Sequence, residues 1–150
     1  MEDILDGKDK KILTLLIQNS KLTTQQISRK IAVPVTTVHN RIKKLEKLGV
    51  IKNYTLTIDL ARIGKPISAY VFATVVYSRE SHKKFSQEDI AKKIRSIEGV
   101  DGVSIVTGGT DIILRVNLGS ISALNDLVTK KLRNIEGIDK TETVVIMDEF

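Results

Sequence analysis

The sequence predicts an α+β protein of two domains, in which a three-helix, winged or plain, helix-turn-helix unit precedes a ferredoxin-like βαββαβ unit. Three observations predict this fold. Apolar residues recur at helical spacing through the first third of the chain, basic residues are concentrated in the same third, and a segment of the second half occurs twice. We assign residues 1–54 to the helix-turn-helix domain, 55–66 to a connecting strand and linker, and 67–150 to the second domain.

The composition is that of an ordinary globular protein, with 41% hydrophobic and 28% charged residues. The N-terminus is charged and no apolar run approaches the ~20 residues of a membrane span, so we expect a cytoplasmic protein without a membrane partner. The chain has no cysteine, which excludes disulfides, and its two histidines, His39 and His82, are far apart. We therefore expect neither a metal site nor a cofactor.

Positive charge is distributed unevenly along the chain. Residues 7–54 contain eleven Lys or Arg against only Asp9 and Glu46, whereas residues 61–150 contain thirteen basic and twelve acidic residues. The net charge of +6 therefore resides in the first third of the chain. A cationic unit joined to a nearly neutral one is typical of a polyanion-binding module on a scaffold, and a surface that served only solubility would not need to be one-sided.

The first two helices are predicted from their caps. Asp6 or Gly7 begins the first helix, which runs to about Asn19. Thr23 with Gln26 three residues later matches a capping box, so the second helix begins there and runs to about residue 31. The apolar stripe of the first helix is predicted to be Ile12, Leu13, Leu16 and Ile17.

The third helix follows a tight turn at residues 32–33. Pro34 ends the second helix by forcing Val33 out of the helical region, and it is acceptable at the start of the next helix. Gly49 is the predicted C-cap. The predicted buried face is Val38, Ile42, Leu45 and Leu48. By itself, the opposite, polar face fits an ordinary solvated surface as well as it fits a DNA-binding surface. In a helix-turn-helix, however, the exposed face of the last helix enters the DNA major groove.

Residues 50–58 have strand composition and are predicted to form a wing or a connecting strand, with Gly64 and Pro66 in the linker that follows. In the second domain, residues 92–101 are echoed at 130–139, and each copy is predicted to be a helix that ends at a glycine. The predicted strands flank these helices and span residues 68–77, 103–107, 111–116 and 141–147.

This βαββαβ order predicts an antiparallel sheet with both helices on one face and with Gly108–Gly109 joining the middle strands. One helical layer leaves the other sheet face bare. Since residues 70–77 read YVFATVVY, that face should expose several hundred Å² of apolar surface. We expect a dimer through this domain, which would also provide the two recognition helices that paired half-sites on double-stranded DNA require.

The combined pattern resembles the Lrp/AsnC (feast/famine) family of bacterial and archaeal transcription regulators over essentially the full length. The matching residues are Leu5, Asp6, Asp9, Ile12, Leu13, Leu16, Arg41, Leu45, Glu46, Gly49, Val50, Ile51, Tyr54, Gly64, Thr107, Gly108 and Asp111. The resemblance implies a helix-turn-helix domain, a C-terminal RAM/ACT-like domain that dimerises, and assembly of dimers into larger discs, often octamers. It also implies a small effector, usually an amino acid, bound where dimers meet.

Two departures from the family pattern bear on these sites. Val33–Pro34 stands where the family commonly has Leu-Ser, which removes a capping hydroxyl worth about 1 kcal/mol from the recognition helix. Gly109–Thr110 stands where relatives often have an aromatic residue before the aspartate. The pocket should therefore differ in size or polarity.

The candidate DNA contacts lie on the second and third helices. Base edges or nearby phosphates are assigned to Thr36, His39, Asn40 and Lys43, because Asn pairs with adenine and Lys with guanine, and Thr37 is a further DNA-binding candidate. Backbone contacts are assigned to Lys21, Thr24 and Gln25, and unspecific charge to Lys44 and Lys47. Arg41 either clamps a phosphate or ties the helix to the domain body, and His39 also fits an ordinary surface position.

The candidate effector site is the turn Gly108, Gly109, Thr110 and Asp111, with Tyr77, Thr141 and Thr143 nearby. Glycine lets a ligand approach the backbone, and Asp111 can accept hydrogen bonds from the ammonium of an amino acid. The turn alone fits a plain hairpin as well, and the family resemblance favours the ligand.

The leading hypothesis is a transcription regulator that responds to an amino acid. An architectural DNA-binding protein without an effector is an alternative. A third is an enzyme, since some tetrapyrrole decarboxylases resemble this two-domain architecture, but the sequence contains no obvious catalytic constellation. We therefore predict that the chain is not an enzyme.

Overall fold

The computed structural model describes residues 5–76 and 86–149. The chain divides into two compact units, Met1–Thr57 and Ile58–Phe150, and this division falls within the predicted 55–66 segment. Across the described residues, no helix is long and apolar enough to cross a membrane.

The first unit contains three helices, α1 (Gly7–Gln18), α2 (Thr24–Ile31) and α3 (Val35–Lys47). Both predicted caps are confirmed. The Asp6 side chain accepts hydrogen bonds from the backbone N–H groups of Lys8 and Asp9, and the Asp6 backbone N–H donates to the Asp9 carboxylate. Thr23 and Gln26 form the same reciprocal box at α2, so the first two helices begin where their sequences predict.

A tight turn joins α2 to α3. Ala32 adopts a left-handed conformation with φ of +52°, which reverses the chain within two residues. The Ser28 hydroxyl donates to the Val33 carbonyl at 2.6 Å, and the Val33 N–H donates to the Ser28 carbonyl at 3.2 Å. Val33 itself is buried. The turn is therefore fixed by both hydrogen bonding and packing.

The ends of α3 differ in how they are capped. Pro34 occupies the N-cap and gives no side-chain hydrogen bond, as expected from the missing serine, although its carbonyl accepts from Val38 at 3.0 Å. At the other end, Gly49 has φ of +69° and lies just after the C-cap residue. Hydrogen bonds from Gly49 to Glu46 and from Val50 to Leu45 form a Schellman motif.

The core of this unit lies between the three helices and contains Ile12, Leu16, Ile27, Val33, Val38 and Leu45. Two residues predicted to be buried are exposed: Ile17 by 84% and Leu48 by 49%. The buried line of α1 runs through Ile12 and Leu16, and Ile17 lies about 100° further round the helix. Leu48 follows the last residue of α3, so it is not held against the core.

Residues 50–58 form neither the predicted wing nor the predicted connecting strand. No strand of the described chain pairs with them, and an unpaired strand leaves its backbone groups without partners. Several of their apolar side chains are exposed, including Tyr54, Leu56 and Ile58. A short 3₁₀ turn, Ala61–Ile63, leads to the second unit's sheet.

The second unit has the predicted βαββαβ order. Its elements are β1 (Ile67–Val75), α4 (Gln87–Arg95), β2 (Val100–Ile105), β3 (Ile112–Leu118), α5 (Ile121–Asp126) with a π-helical continuation (Leu127–Leu132), and β4 (Ile138–Val145). The strands form one antiparallel sheet in the order β2-β3-β1-β4. The ferredoxin-like prediction is confirmed.

The helices of this unit end before the repeated glycines. α4 ends at Arg95 and the π-helical segment at Leu132, whereas Gly99 and Gly137 lie in the following turns with φ of +89° and +101°. The prediction that each helix ends at its glycine is therefore wrong by about one turn. The glycines are needed where the chain turns into the next strand, because few other residues adopt positive φ without strain.

The two faces of the sheet differ. Alternate residues of β1 and β3 pack against α4 and α5, and the buried strand residues are Ala69, Val71, Ala73, Val75, Ile112, Leu114 and Val116. On the opposite face, Tyr70 and Val144 are 36% and 48% exposed, and Phe72 and Ile113 are half-buried beside them. The apolar residues that the sequence predicts on this face are present, and Arg115 and Glu142 share the face as the strand partners of Tyr70 and Phe72.

Candidate nucleic-acid interface and effector site

The polar face of α3 is open to solvent. Val38 and Leu45 are fully buried on the inner face of the helix, so residues on the other side point outward. The exposed donors are Thr36, His39, Asn40, Lys43 and Lys47, and Thr37 is half-buried at their edge. One helix surface therefore presents a hydroxyl, an amide, an imidazole and two ammonium groups together.

Arg41 orients this helix from its other side. Its Nη1 lies 2.7 Å from Asp9 Oδ1 and 2.7 Å from Asp6 Oδ2, and the Asp9 side chain is fully buried. Of the two roles that the sequence left open, Arg41 therefore has the structural one: it ties α3 to the start of α1. A phosphate-clamping role, as in the set of DNA contacts above, would require breaking a buried ion pair.

The hydrogen bonds among Asp6, Asp9 and Arg41, which we call the Arg41 cluster, also shift pKa values. A backbone hydrogen bond from Asp9 and the guanidinium of Arg41 lower the pKa of Asp6 from 3.8 to about 2. Hydrogen bonds to the carboxylates of Asp9 and, to a smaller extent, Asp6 raise the pKa of Arg41 above its ordinary value. Both groups are ionised at neutral pH, so the ion pair between α1 and α3 is present there.

The remaining DNA candidates border the α3 face. Lys44 Nζ lies 3.8 Å from Asp9 Oδ2 and its side chain is 53% exposed, so it keeps access to solvent. Lys21 and Gln25 are exposed near the start of α2, and Thr24 is half-buried in the first turn. These residues flank the N-terminal end of α2, where free backbone N–H groups suit a phosphate.

The β2–β3 hairpin holds the effector candidates. Gly108 and Gly109 are exposed at its tip, and a Cβ added to either would meet nothing within 4 Å. The Asp111 N–H donates to the Ala73 carbonyl at 3.1 Å, and Val106 donates to the Asp111 carbonyl at 2.9 Å. The backbone of the loop is thus anchored to β1 while its tip remains open.

The Asp111 carboxylate has protein partners of its own. Its Oδ2 accepts from the Val75 N–H at 2.8 Å, and its Oδ1 accepts from Gln87 Nε2 at 3.0 Å. It therefore joins the end of β1 to the start of α4. Any ligand ammonium would have to share these oxygens, so positioning of the loop is the role that this geometry supports.

The other predicted effector residues differ in position and in exposure. Thr141 lies opposite Ala73 on β4, next to the strand that anchors the hairpin, and it accepts a hydrogen bond from Arg133 Nε at 3.3 Å. Thr143 is two residues further along and exposed. Tyr77 lies outside the described residues, as does His82.

Sequence reasoning missed two polar residues that organise the sites. Gln87 was not singled out, and a residue in the first turn of a helix gives no signal that it will bind a distant carboxylate. Asn117 is buried in β3, where its amide donates to Asp101 and accepts from the Ser68 hydroxyl. The Asp6 capping residue with Asp9 three positions later was the available signal for the Arg41 cluster.

Comparison with known proteins agrees with both halves of the structure. Residues 5–52 match a winged helix-turn-helix DNA-binding family and residues 71–150 match the Lrp/AsnC ligand binding domain. An uncharacterised HTH-type transcriptional regulator of Pyrococcus furiosus is 34% identical over 97% of this chain and 94% of its own. The HTH-type transcriptional regulator LrpC of Bacillus subtilis is 30% identical over 83% of this chain and 81% of its own.

Solved structures show the same fold. The structure of Bacillus subtilis LrpC superposes with a TM-score of 0.81 and 29% identity, covering 97% of this chain and 96% of that one. A Neisseria meningitidis transcriptional regulator in complex with L-Met superposes with a TM-score of 0.87 and 23% identity, covering 97% and 91% of the two chains. The chain belongs to the Lrp/AsnC family and is a DNA-binding transcription regulator with an effector-binding domain, not an enzyme.

Proposed function

We propose that this regulator recognises a specific DNA sequence through α3 and that an amino acid bound at the β2–β3 hairpin changes its assembly or its DNA affinity. The observation that carries the first part is the exposed set on α3. Asn40 and Lys43 have the donor groups that pair with adenine and guanine in the major groove, and the Arg41 cluster holds the helix behind them. As its target is chromosomal DNA, we expect it to act in the cytoplasm.

Titration of DNA with the full chain at several salt concentrations tests DNA recognition. Each phosphate contacted through Lys21, Lys44 or Lys47 should steepen the fall of affinity with salt, since bound counterions are released. A matched pair of duplexes, one selected for binding and one of scrambled sequence, separates base reading from charge. Equal affinity for both duplexes would instead support the architectural alternative.

The effector proposal rests on the hairpin. Its tip exposes Gly108 and Gly109, whose backbone N–H groups suit a carboxylate, and Thr110 and Thr141 are the candidate hydroxyl groups. Asp111 fixes the loop through Val75 and Gln87. The Neisseria meningitidis complex with L-Met provides a precedent on the same fold.

Gly109→Ala tests this site without disturbing the fold. A Cβ at Gly109 meets nothing within the protein, and this residue has no positive φ, so the variant should fold normally. A ligand that approaches the backbone there would be displaced. Thermal-shift screening with the common amino acids should stabilise the natural chain by about 2.7 kcal/mol at 100 times the dissociation constant, and the variant by much less. Equal shifts in both would place the ligand elsewhere, and no shift in either would favour the architectural alternative.

We further propose that the chain dimerises through the bare sheet face and that dimers associate further, up to a tetramer of dimers. Tyr70, Phe72, Ile113 and Val144 form an apolar patch on that face, and exposed patches of this kind mark association surfaces. A ligand at a contact between dimers can change assembly only if it binds one state more tightly than the other. Altered assembly would change the spacing of the α3 helices along DNA.

A further inference from the structure

A second group of basic residues lies in the N-terminal unit, outside the candidate DNA contacts. Of the eleven Lys and Arg residues between positions 7 and 54, five lie on α1 and at the C-terminal end of α2. They are Lys8, Lys10, Lys11, Arg29 and Lys30, and all are exposed. DNA contacts through α3 and the start of α2 therefore do not account for this part of the positive charge.

Three of these lysines border a groove between α1 and α2. Its volume is about 300 Å³, at the small end of the range for binding pockets. No residue of α3 lines it, so the groove is separate from the surface that we assign to DNA. The lining residues are Lys10, Lys11, Thr14 and Leu15 of α1, and Lys30 and Ile31 of α2.

The groove is apolar between its lysines. Leu15 and Ile31 pack against the core of the unit but are only partly buried, so each keeps a face open to solvent. Lysine side chains extend such a surface, because their methylene groups lie along apolar neighbours while the ammonium stays in water. The groove can therefore receive an apolar side chain from a partner.

The rim of the groove is positively charged. Lys11 and Lys30 have no ion-pair partner within residues 5–76 and 86–149. The carboxylates of Asp6 and Asp9, which lie nearest along α1, are bound to Arg41 instead. The ammonium groups of Lys11 and Lys30 are thus available to the carboxylates of a partner.

The groove lies away from the α3 face. Ile12 is fully buried on the inner side of α1, and Thr14 lies about 200° further round the same helix. Val38 and Leu45 of α3 belong to the core that Ile12 faces. We therefore expect that a partner in the groove and DNA on α3 can be bound at the same time.

We propose that this groove binds an acidic amphipathic helix of a second protein. The apolar residues of that helix lie on Leu15 and Ile31, and its carboxylates pair with Lys11 and Lys30. Binding of an amphipathic helix in an apolar groove is a recurring mode of peptide recognition. DNA suits the groove less well, because phosphates would pair with the lysines but gain nothing from the apolar residues between them.

This contact would recruit the second protein to the DNA that the regulator occupies. The proposal depends neither on an amino-acid effector nor on base reading by α3, since the residues that carry it belong to α1 and α2.

Hydrogen–deuterium exchange of the full chain with a synthetic helical peptide tests the location. The peptide carries leucines at positions i, i+3, i+4 and i+7 and glutamates on both flanks of that stripe. Slower exchange is expected in fragments covering residues 8–16 and 27–32. A scrambled peptide of the same composition, which has no apolar stripe, should give no protection there. Protection confined to other fragments, equal protection by both peptides, or no protection at all would overturn the proposal.

Reversal of the charges on both partners tests the assigned ion pairs, with fluorescence anisotropy as the readout. The Lys11→Glu, Lys30→Glu double variant should bind the acidic peptide roughly tenfold more weakly than the natural chain does, because two attractions become repulsions. It should prefer a peptide in which lysine replaces each glutamate. Lys52→Glu, Lys93→Glu is the matched control, since both lysines are exposed and lie outside the groove. An unreversed preference, or an equal loss in the control, would overturn the proposal.

Duplex binding by the same two variants separates a protein partner from DNA. The groove variant should lose no more affinity for a duplex than the matched control does. A larger loss would make the groove a phosphate-binding surface and would overturn the proposal. If the reversed variant fails to fold, Lys11→Gln, Lys30→Gln removes the same charges without adding acidic groups, and it should still bind the acidic peptide more weakly than the natural chain does.

Discussion

At the scale of single residues, Arg41 is the most consequential side chain of the N-terminal unit. It connects two carboxylates of α1, one of them fully buried, to the helix that we assign to DNA. Its position on the sequence, between the buried and exposed faces of α3, left two roles open, and only the structure shows its partners. The same holds for Asn117, whose buried network of Ser68 and Asp101 has no signature in the sequence.

Arg41→Ala should lower the free energy of unfolding of the N-terminal unit by about 3 kcal/mol, because it leaves the buried Asp9 carboxylate without its partner. Urea unfolding followed by circular dichroism measures this loss. Lys43→Ala, two positions away on the exposed face, is the matched control and should change stability little. Similar losses in both variants would mean that Asp9 does not depend on Arg41.

The lowered pKa of Asp6 predicts a pH dependence. A carboxyl whose folded pKa is about 2, against an ordinary 3.8, stabilises the fold fully above pH 3.8 and loses that contribution as pH falls towards 2. Asp6→Asn keeps a good N-cap but removes this titration. Thermal melts across this range should therefore show a steeper acid loss in the natural chain than in Asp6→Asn. Parallel losses would contradict the assigned pKa.

At the scale of elements, the sequence predicted best those features that depend on neighbouring residues. Caps at Asp6, Thr23 and Gly49 placed the three helices to within a residue or two, because capping depends on a few neighbouring side chains. The predictions that failed concern segments whose structure depends on contacts between residues far apart in the sequence. Residues 50–58 have strand composition but pair with no strand within residues 5–76 and 86–149, and the π-helical segment after α5 depends on how Leu127 and Leu132 fit the core.

The α3 face carries its own prediction. Lys43→Ala should weaken binding to a selected duplex and reduce the slope of log affinity against log salt by about 1 if the residue contacts a phosphate. If it contacts a base instead, the loss should fall on the selected duplex more than on a scrambled one. Fluorescence anisotropy measures both. Loss of assembly in this variant, seen by light scattering, would show that Lys43 faces a protein partner.

At the scale of the whole molecule, the ferredoxin-like fold and the one-sided sheet could be predicted because the repeat at residues 92–101 and 130–139 fixed the order of elements. The partner that covers the bare sheet face could not be predicted from the sequence of one chain. A second copy is the partner that we propose, since Tyr70, Phe72, Ile113 and Val144 are presented together by three adjacent strands.

Val144→Lys should shift the dimer towards monomer, because it places a charge within the apolar patch while its side chain, 48% exposed, is not needed by the core. Thr143→Lys is the matched control, since the neighbouring residue of β4 faces the other side of the sheet. Size-exclusion chromatography with light scattering gives the masses. A variant that stays dimeric would move the interface to another surface.

Selection from a random duplex library with the full chain tests most directly whether α3 reads DNA sequence. The natural chain should enrich one sequence with two related half-sites, since a dimer presents two copies of α3. Asn40→Ala should relax the enriched sequence at one position in each half-site, because the amide would no longer pair with its base. Failure of the natural chain to enrich any sequence, with retained salt-dependent binding to all duplexes, would contradict the claim.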